Sequence, residues 1–159
     1  MQKWYLICTR PGQETLARES LQGLGYACFL PLLPGAGPTP EPLFPRYLFV
    51  QLQEPLMGQT WAAVRAARGV ARIVSTPQDL DGISHELVQF IRSKSLAMAS
   101  PWQGVASEAA ADPRTVHLEA IFAERNGFRR VLGLIELISR RHPPAATTPA
   151  AGVRYQLAS

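Results

Sequence analysis

The sequence contains few lysines, few cysteines and no long apolar run. Only two of its 16 basic residues are lysine, and only two of its 159 residues are cysteine. A helix that crosses a bilayer needs about 18 or more consecutive apolar residues, and the sequence has no such run. The opening segment MQKWYLICTR becomes polar too early for a signal peptide and is typical of a first strand. We therefore expect a cytoplasmic protein that does not bind membranes.

The residue types that usually carry catalysis or bind metals are scattered along the chain. Cys8 and Cys28 lie in neither a CxxC motif nor a cysteine–histidine spacing, which argues against a zinc site. His85, His117 and His142 have no carboxylate or cysteine at a catalytic or ligand spacing. We predict no catalytic residue, no metal and no cofactor. The cysteines are expected to be buried, inert thiols, and a thiol enzyme is the alternative with the least support.

The basic residues are mostly arginine, and the chain has a formal net charge of +4. A small positive charge mildly favours an anionic partner, of which nucleic acid is the most common. Arginine contacts phosphate and guanine better than lysine does, because its planar guanidinium can donate two parallel hydrogen bonds. A GC-rich genome produces the same preference for arginine, so both interpretations stay open.

Strand-like and helix-like segments alternate in the N-terminal part of the chain. KWYLICT, YACFLPLL, LFPRYLFVQL and VARIVST are rich in aromatic and β-branched residues, which is typical of strands. Residues 13–24 and the segments LMGQTWAAVRAARG and DGISHELVQFIRSKS carry apolar residues at helical spacing. Ser84 is the expected N-cap of the last helix, with Ile83 and Val88 as a hydrophobic staple. The order βαββαβα predicts an α+β fold with helices that flank an antiparallel sheet.

The strand in LFPRYLFVQL has two apolar faces. Leu48, Val50 and Leu52 alternate with Tyr47 and Phe49, and alternate side chains of a strand point to opposite faces. The aliphatic face is expected to lie in the core. From the pattern alone, the aromatic face is buried under helices or available to a partner.

Residues 112–140 fit two structures. Asp112-Pro113 is typical of a helix start, and Asn126-Gly127 is typical of either a hairpin turn or a break between two helices. A β-hairpin and a helical hairpin therefore both remain open. The helical hairpin would carry a broad apolar stripe that must pack on another surface, and the face of Tyr47 and Phe49 is available for it. We divide the chain into a domain of residues 1–97, a linker of residues 98–106 and a C-terminal domain of residues 107–159, which ends in a mobile tail.

Three segments resemble a known family. WYLICTRPGQE, EPLFPRYLFVQL and WAAVRAARGVARIV, which lie between residues 3 and 95, resemble the N-terminal domain of NusG-type transcription elongation factors. EPLFP, RGV and the later segment EAIFAERNGFRRVLGLIELI resemble the specialised RfaH-type paralogues within that family.

The resemblance implies a transcription factor without enzymatic activity, which acts as a monomer. Its N-terminal domain would bind the clamp helices of the largest subunit of RNA polymerase, suppress pausing and termination, and read non-template strand DNA. Its C-terminal domain would be a helical hairpin that masks the polymerase-binding face. A KOW-like β-barrel that contacts the ribosome is the alternative state, and a ribosome- or RNA-binding module is the alternative function.

The resemblance also assigns roles to residues by position. The polymerase-binding residues would be Leu43, Phe44, Pro45, Tyr47, Phe49 and Trp61. The DNA-binding residues would be Arg10, Gln13, Arg65, Arg68 and Arg72. The contact between the domains would include an ion pair of Glu41 with Arg130 and the apolar residues Phe122, Leu132 and Ile135.

The chain also departs from the RfaH-type pattern. Leu16 and Ser20 stand where those proteins carry polar and basic residues, so the DNA specificity is expected to differ. Trp61 belongs to a TWA segment that replaces a polar triplet. VASEAAADPRTV lacks the glycine-rich turn with which a KOW motif opens, and its alanines favour the helical state of the C-terminal domain.

Overall fold

The computed structural model describes residues 2–53, 60–74, 82–99 and 113–139 of the chain. Most of the predicted linker and all of the predicted tail lie outside these residues. The elements in chain order are β1 (Gln2–Thr9), α1 (Glu14–Gly23), β2 (Ala27–Phe29), β3 (Leu32–Leu33), β4 (Glu41–Pro42), β5 (Tyr47–Gln53), α2 (Trp61–Ala66), β6 (Val70–Ile73), α3 (His85–Ala99), α4 (Pro113–Ala123) and α5 (Gly127–Ser139).

Four strands form an antiparallel sheet in the order β2-β5-β1-β6, and β3 pairs with β4 in a separate two-stranded sheet. The long strands β1 and β5 lie side by side, with Tyr5 opposite Val50 and Cys8 opposite Tyr47. Successive residues of β1 alternate between two hydrophobic clusters: Tyr5 belongs to one, and Trp4 and Leu6 to the other. The sheet is therefore covered on both faces.

The first face of the sheet packs against α1 and α2. Ala17 and Leu21 of α1 and Val64 of α2 are fully buried with Leu48 and Val50 of β5. This is the aliphatic face that the alternation in LFPRYLFVQL predicts, and its core position is confirmed.

The second face packs against three helices. Phe49 of β5 is buried in one cluster with Ile91 of α3, Leu118 of α4 and Leu134 of α5. The predicted α+β fold, with helices on both sides of an antiparallel sheet, is confirmed. YACFLPLL, predicted as one strand, forms two short strands in different sheets, β2 and β3. The pairing of β3 with β4 was not predicted, because each of these strands has only two residues and borders a proline- and glycine-rich loop.

The start of α3 forms as its local sequence predicts. The Oγ of Ser84 accepts a hydrogen bond from the backbone N–H of Leu87 at 3.3 Å, which satisfies one of the free donors of the first helical turn. Ile83 and Val88 on either side of this cap are both buried in the same cluster. Both the predicted N-cap and the predicted staple are confirmed.

Asn126-Gly127 is a break between two helices. The Oδ1 of Asn126 accepts hydrogen bonds from the backbone N–H groups of Phe128 at 2.9 Å and Arg129 at 3.3 Å. The asparagine thus caps α5. Gly133 lets the two helices lie close together, because a Cβ atom there would stand 2.9 Å from the Cγ1 of Ile121. Within the described residues, no helix is long and apolar enough to span a bilayer.

Candidate functional site

The loop that leads into β5 is held in an unusual conformation. Arg46 has φ of 69°, a left-handed value that residues other than glycine rarely adopt. Three hydrogen bonds hold it: its N–H donates to Glu14 Oε1 at 3.0 Å, its Nε donates to the carbonyl of Thr9 at 3.3 Å, and its carbonyl accepts from the Thr9 N–H at 2.8 Å. The loop before Tyr47 is therefore tied to β1 and to the start of α1.

We call Leu43, Phe44, Pro45, Tyr47 and Phe49 together the aromatic face. The ring of Phe49 lies 6.3 Å from that of Phe44 in an edge-on arrangement, and the ring of Phe29 stacks on Phe49 at 6.0 Å. Leu43, Phe44 and Phe49 are fully buried, whereas Pro45 and Tyr47 are half-buried. Five of the six predicted polymerase-binding residues thus lie together.

The helices α4 and α5 cover the aromatic face. Leu118 and Phe122 of α4 and Leu134 of α5 are buried in the same cluster as Phe44. Gly127 brings the first turn of α5 against Pro45, because a Cβ atom added there would lie 2.6 Å from the Pro45 Cγ. Phe44 and Phe49 therefore share one buried cluster with the C-terminal helices and with α3.

An ion pair joins the C-terminal helices to α3. The Nζ of Lys94 lies 2.6 Å from the Oε1 of Glu119 on α4. Both side chains are one third or more exposed, so the contribution of this pair to stability is small, roughly 0–1 kcal/mol. The apolar contacts with the aromatic face are the main attachment of the hairpin.

The predicted apolar contacts between the domains are found in part. Phe122 is buried and Ile135 is partly buried against the same cluster. Leu132, in contrast, is 50% exposed on α5 and does not belong to this cluster. Sequence reasoning did not assign Leu134, which is fully buried at this contact. Gly133 was the feature of the sequence that could have indicated the buried side of α5, because a small residue lets that side approach α4 closely.

The predicted ion pair of Glu41 with Arg130 is not formed, since neither side chain takes part in an ion pair among the residues that the structure describes. Glu41 is exposed on β4, whereas Arg130 is only 8% exposed on α5. The Nε of Arg130 has no hydrogen-bond partner there. The match of Glu41 and Arg130 to positions in the family does not ensure an ion pair, because the two charged groups must also lie within about 4 Å of each other.

Trp61 lies on the other side of the sheet from the aromatic face. Its ring meets the ring of Tyr5 edge-on at 4.6 Å, and it packs against the cluster that contains α1 and α2. The sixth predicted polymerase-binding residue is therefore separate from the other five.

A basic pocket opens between α1 and the segment that joins α2 to β6. Its volume is about 390 Å³, and its lining includes four of the five predicted DNA-binding residues, namely Arg10, Gln13, Arg65 and Arg68. Arg72 lies exposed on β6 and does not line the pocket. Segments more than fifty residues apart in the chain thus bring three arginines to one concave surface.

The thiols have no features of a reactive site. Cys8 is buried, and both cysteines are free. Burial raises the pKa of the Cys28 thiol from 9.0 to about 12, although the charge of Arg18 acts in the opposite direction. At neutral pH, Cys28 is therefore a protonated, weakly nucleophilic thiol. Among the described residues, no three of the histidines, cysteines and acidic residues are grouped as metal ligands.

Comparison with known proteins gives a family assignment for the part of the chain that holds both surfaces. The family model described as "Transcription termination factor nusG" matches residues 2–92, more than half of the 159-residue chain. A solved structure, described as "Domain interaction in Thermotoga maritima NusG", is similar with a TM-score of 0.44 and 21% identity. That similarity covers 65% of this chain, which spans 61% of the length of the other. The match over residues 2–92 includes the whole aromatic face and the basic pocket, and it shows that this chain belongs to the NusG family of transcription factors.

Proposed function

We propose that this chain is a transcription elongation and antitermination factor of the RfaH type, which binds the clamp helices of RNA polymerase through its aromatic face. The observation that carries the proposal is that Leu43, Phe44, Pro45, Tyr47 and Phe49 form one surface, and that the chain's own C-terminal helices pack against it together with α3. Apolar, aromatic-rich patches of this kind are typical of protein interfaces.

Autoinhibition by the hairpin of α4 and α5 is part of the proposal. The polymerase and the hairpin compete for the aromatic face, so the apparent affinity for polymerase falls in proportion to the fraction of molecules in which the face is free. Release of the hairpin then allows binding. The proposal places the protein in the cytoplasm as a monomer that needs no cofactor.

The basic pocket is proposed to hold the non-template DNA strand. Its arginines suit a phosphate backbone, because each guanidinium can form charge-assisted hydrogen bonds with phosphate oxygens. The pocket lies at the start of α1, and Glu14 of the same turn is hydrogen-bonded to Arg46 beside the aromatic face. One domain would thus contact polymerase and the exposed DNA strand at the same time.

Binding to core RNA polymerase tests the proposal. Tyr47→Ala removes a half-buried interface ring while the fully buried Phe44 and Phe49 remain, so the domain should still fold. We expect the affinity of the full chain for polymerase to fall about tenfold or more, as for a central interface residue. Thr15→Ala, an exposed position on α1, is the matched control and should bind normally.

A transcription assay on a template with a defined pause completes the test. The wild-type chain should shorten the pause, and Tyr47→Ala should not. Binding to ribosomes in the absence of any binding to polymerase would contradict the proposal and support the alternative of a ribosome- or RNA-binding module.

A further inference from the structure

A serine of α1 contacts the backbone of the arginine loop at the basic pocket. The Oγ of Ser20 accepts a hydrogen bond from the backbone N–H of Arg68 at 3.0 Å. Arg68 lies between α2 and β6, 48 residues further along the chain. Ser20 itself does not line the pocket.

The residues on both sides of Arg68 are already fixed. The carbonyl of Gly69 accepts a hydrogen bond from the Arg10 N–H at 2.8 Å, and the backbone of Gly69 lies directly on α1. The N–H groups of Ala67 and Val70 donate within the same segment, to Val64 and Ala67. Ser20 is thus the side chain that fixes the peptide group of Arg68.

We infer that Ser20 is a positioning residue for Arg68, and this inference rests on the proposed role of the basic pocket in binding single-stranded DNA. A guanidinium binds phosphate best when its direction is set in advance, because less conformational freedom is then lost on binding. Ser20 contributes no charge to the pocket. Its hydroxyl holds the backbone from which the arginine side chain extends.

Ser20→Ala tests this role without a penalty to the helix, because alanine is the better helix former. The full chain is titrated with a labelled, mixed-sequence single-stranded DNA oligonucleotide over a range of salt concentrations. We expect the dissociation constant to rise about fivefold, as for the loss of one net hydrogen bond. The slope of affinity against salt should stay unchanged, because every phosphate-binding charge remains.

Two further variants separate positioning from a general structural effect. Ser20→Thr keeps the hydroxyl and should restore affinity. Ser93→Ala removes a similar exposed serine from α3 and should bind like the wild type. In a chain that already carries Arg68→Ala, Ser20→Ala should cause no further loss, because the two residues act through one contact.

The outcomes distinguish this inference from the function on which it rests. If Arg10→Ala and Arg68→Ala weaken binding and Ser20→Ala does not, the positioning role is wrong and the DNA-binding role stands. An equal effect of Ser20→Ala with and without Arg68 would also overturn it. If the wild-type chain does not bind single-stranded DNA, or if neither arginine matters, both proposals fail.

Discussion

At the scale of single residues, Gly69 is a position where the backbone allows little change. Its φ is +82°, and a Cβ atom there would lie 2.9 Å from the backbone nitrogen of Ala17 and 3.0 Å from the carbonyl oxygen of Gln13. The positive φ favours glycine, and the close approach excludes any side chain. The loop that carries Arg68 can therefore lie on α1 only with glycine at this position.

Gly69→Ala is expected to lower the free energy of unfolding by about 2 kcal/mol or more, because backbone strain and a steric clash add together. Urea denaturation of the full chain measures this change. Gly23→Ala is the matched control, since Gly23 has open space around its Cα and lies at the end of α1. Equal free energies of unfolding for the two variants would contradict this prediction, because they would show that the loop can move away from α1 without a cost in stability.

At the scale of elements, α5 shows why a helical pattern alone did not identify the buried face. Val131 and Leu134 are buried, while Phe128 and Leu132 are 69% and 50% exposed. The apolar stripe of α5 is therefore only partly turned towards the buried cluster. The buried side depends on Gly133 and Gly127, which allow close approach to Ile121 and Pro45.

Arg130 is expected to weaken the packing of α5, because its Nε is buried without a hydrogen-bond partner and has lost its hydration. Arg130→Met keeps most of the volume and removes the charge. We predict that it stabilises the closed hairpin by about 1–2 kcal/mol. Hydrogen exchange of the α5 amides should become slower, and the apparent affinity for polymerase should fall.

The adjacent Arg129 provides the control, because its side chain is 72% exposed and its ion pair with Glu124 is long, at 4.0 Å. Arg129→Met should leave hydrogen exchange in α5 nearly unchanged. Faster exchange in Arg130→Met would instead mean that Arg130 has a stabilising partner in solution.

At the scale of the whole molecule, the sheet separates two kinds of core. The side of α1 and α2 is built from residues of the segment that matches the family, whereas the other side also includes α4 and α5, which lie beyond it. Removal of the hairpin would therefore uncover the part of the aromatic face that α4 and α5 contact, and would leave the cluster around Leu48 and Val50 intact. The proposed autoinhibition requires this difference, because the hairpin must be able to leave while the rest of the domain stays folded.

Gly127→Ala is expected to free the aromatic face, because the added Cβ would stand 2.6 Å from the Pro45 Cγ and 3.0 Å from its Cδ. The first turn of α5 must then move away from Pro45. We predict a severalfold higher apparent affinity for polymerase, together with faster hydrogen exchange in α5. Gly37→Ala, which meets no atom within 4 Å, is the control. Slower hydrogen exchange in α5 or weaker polymerase binding of the Gly127→Ala variant would contradict the proposal that the hairpin masks the aromatic face.

Local patterns in the sequence were sufficient to predict the alternating faces of β5, the cap and staple of α3 and the α+β class. These depend on the two-residue period of a strand and on side chains a few positions apart, so neighbouring residues specify them. Tertiary contacts decided the rest. The formation of α4 and α5, the exposure of Leu132, the unpaired Nε of Arg130 and the meeting of Arg10 with Arg68 all depend on which distant surfaces pack together. Many packing arrangements with similar local preferences compete for these contacts.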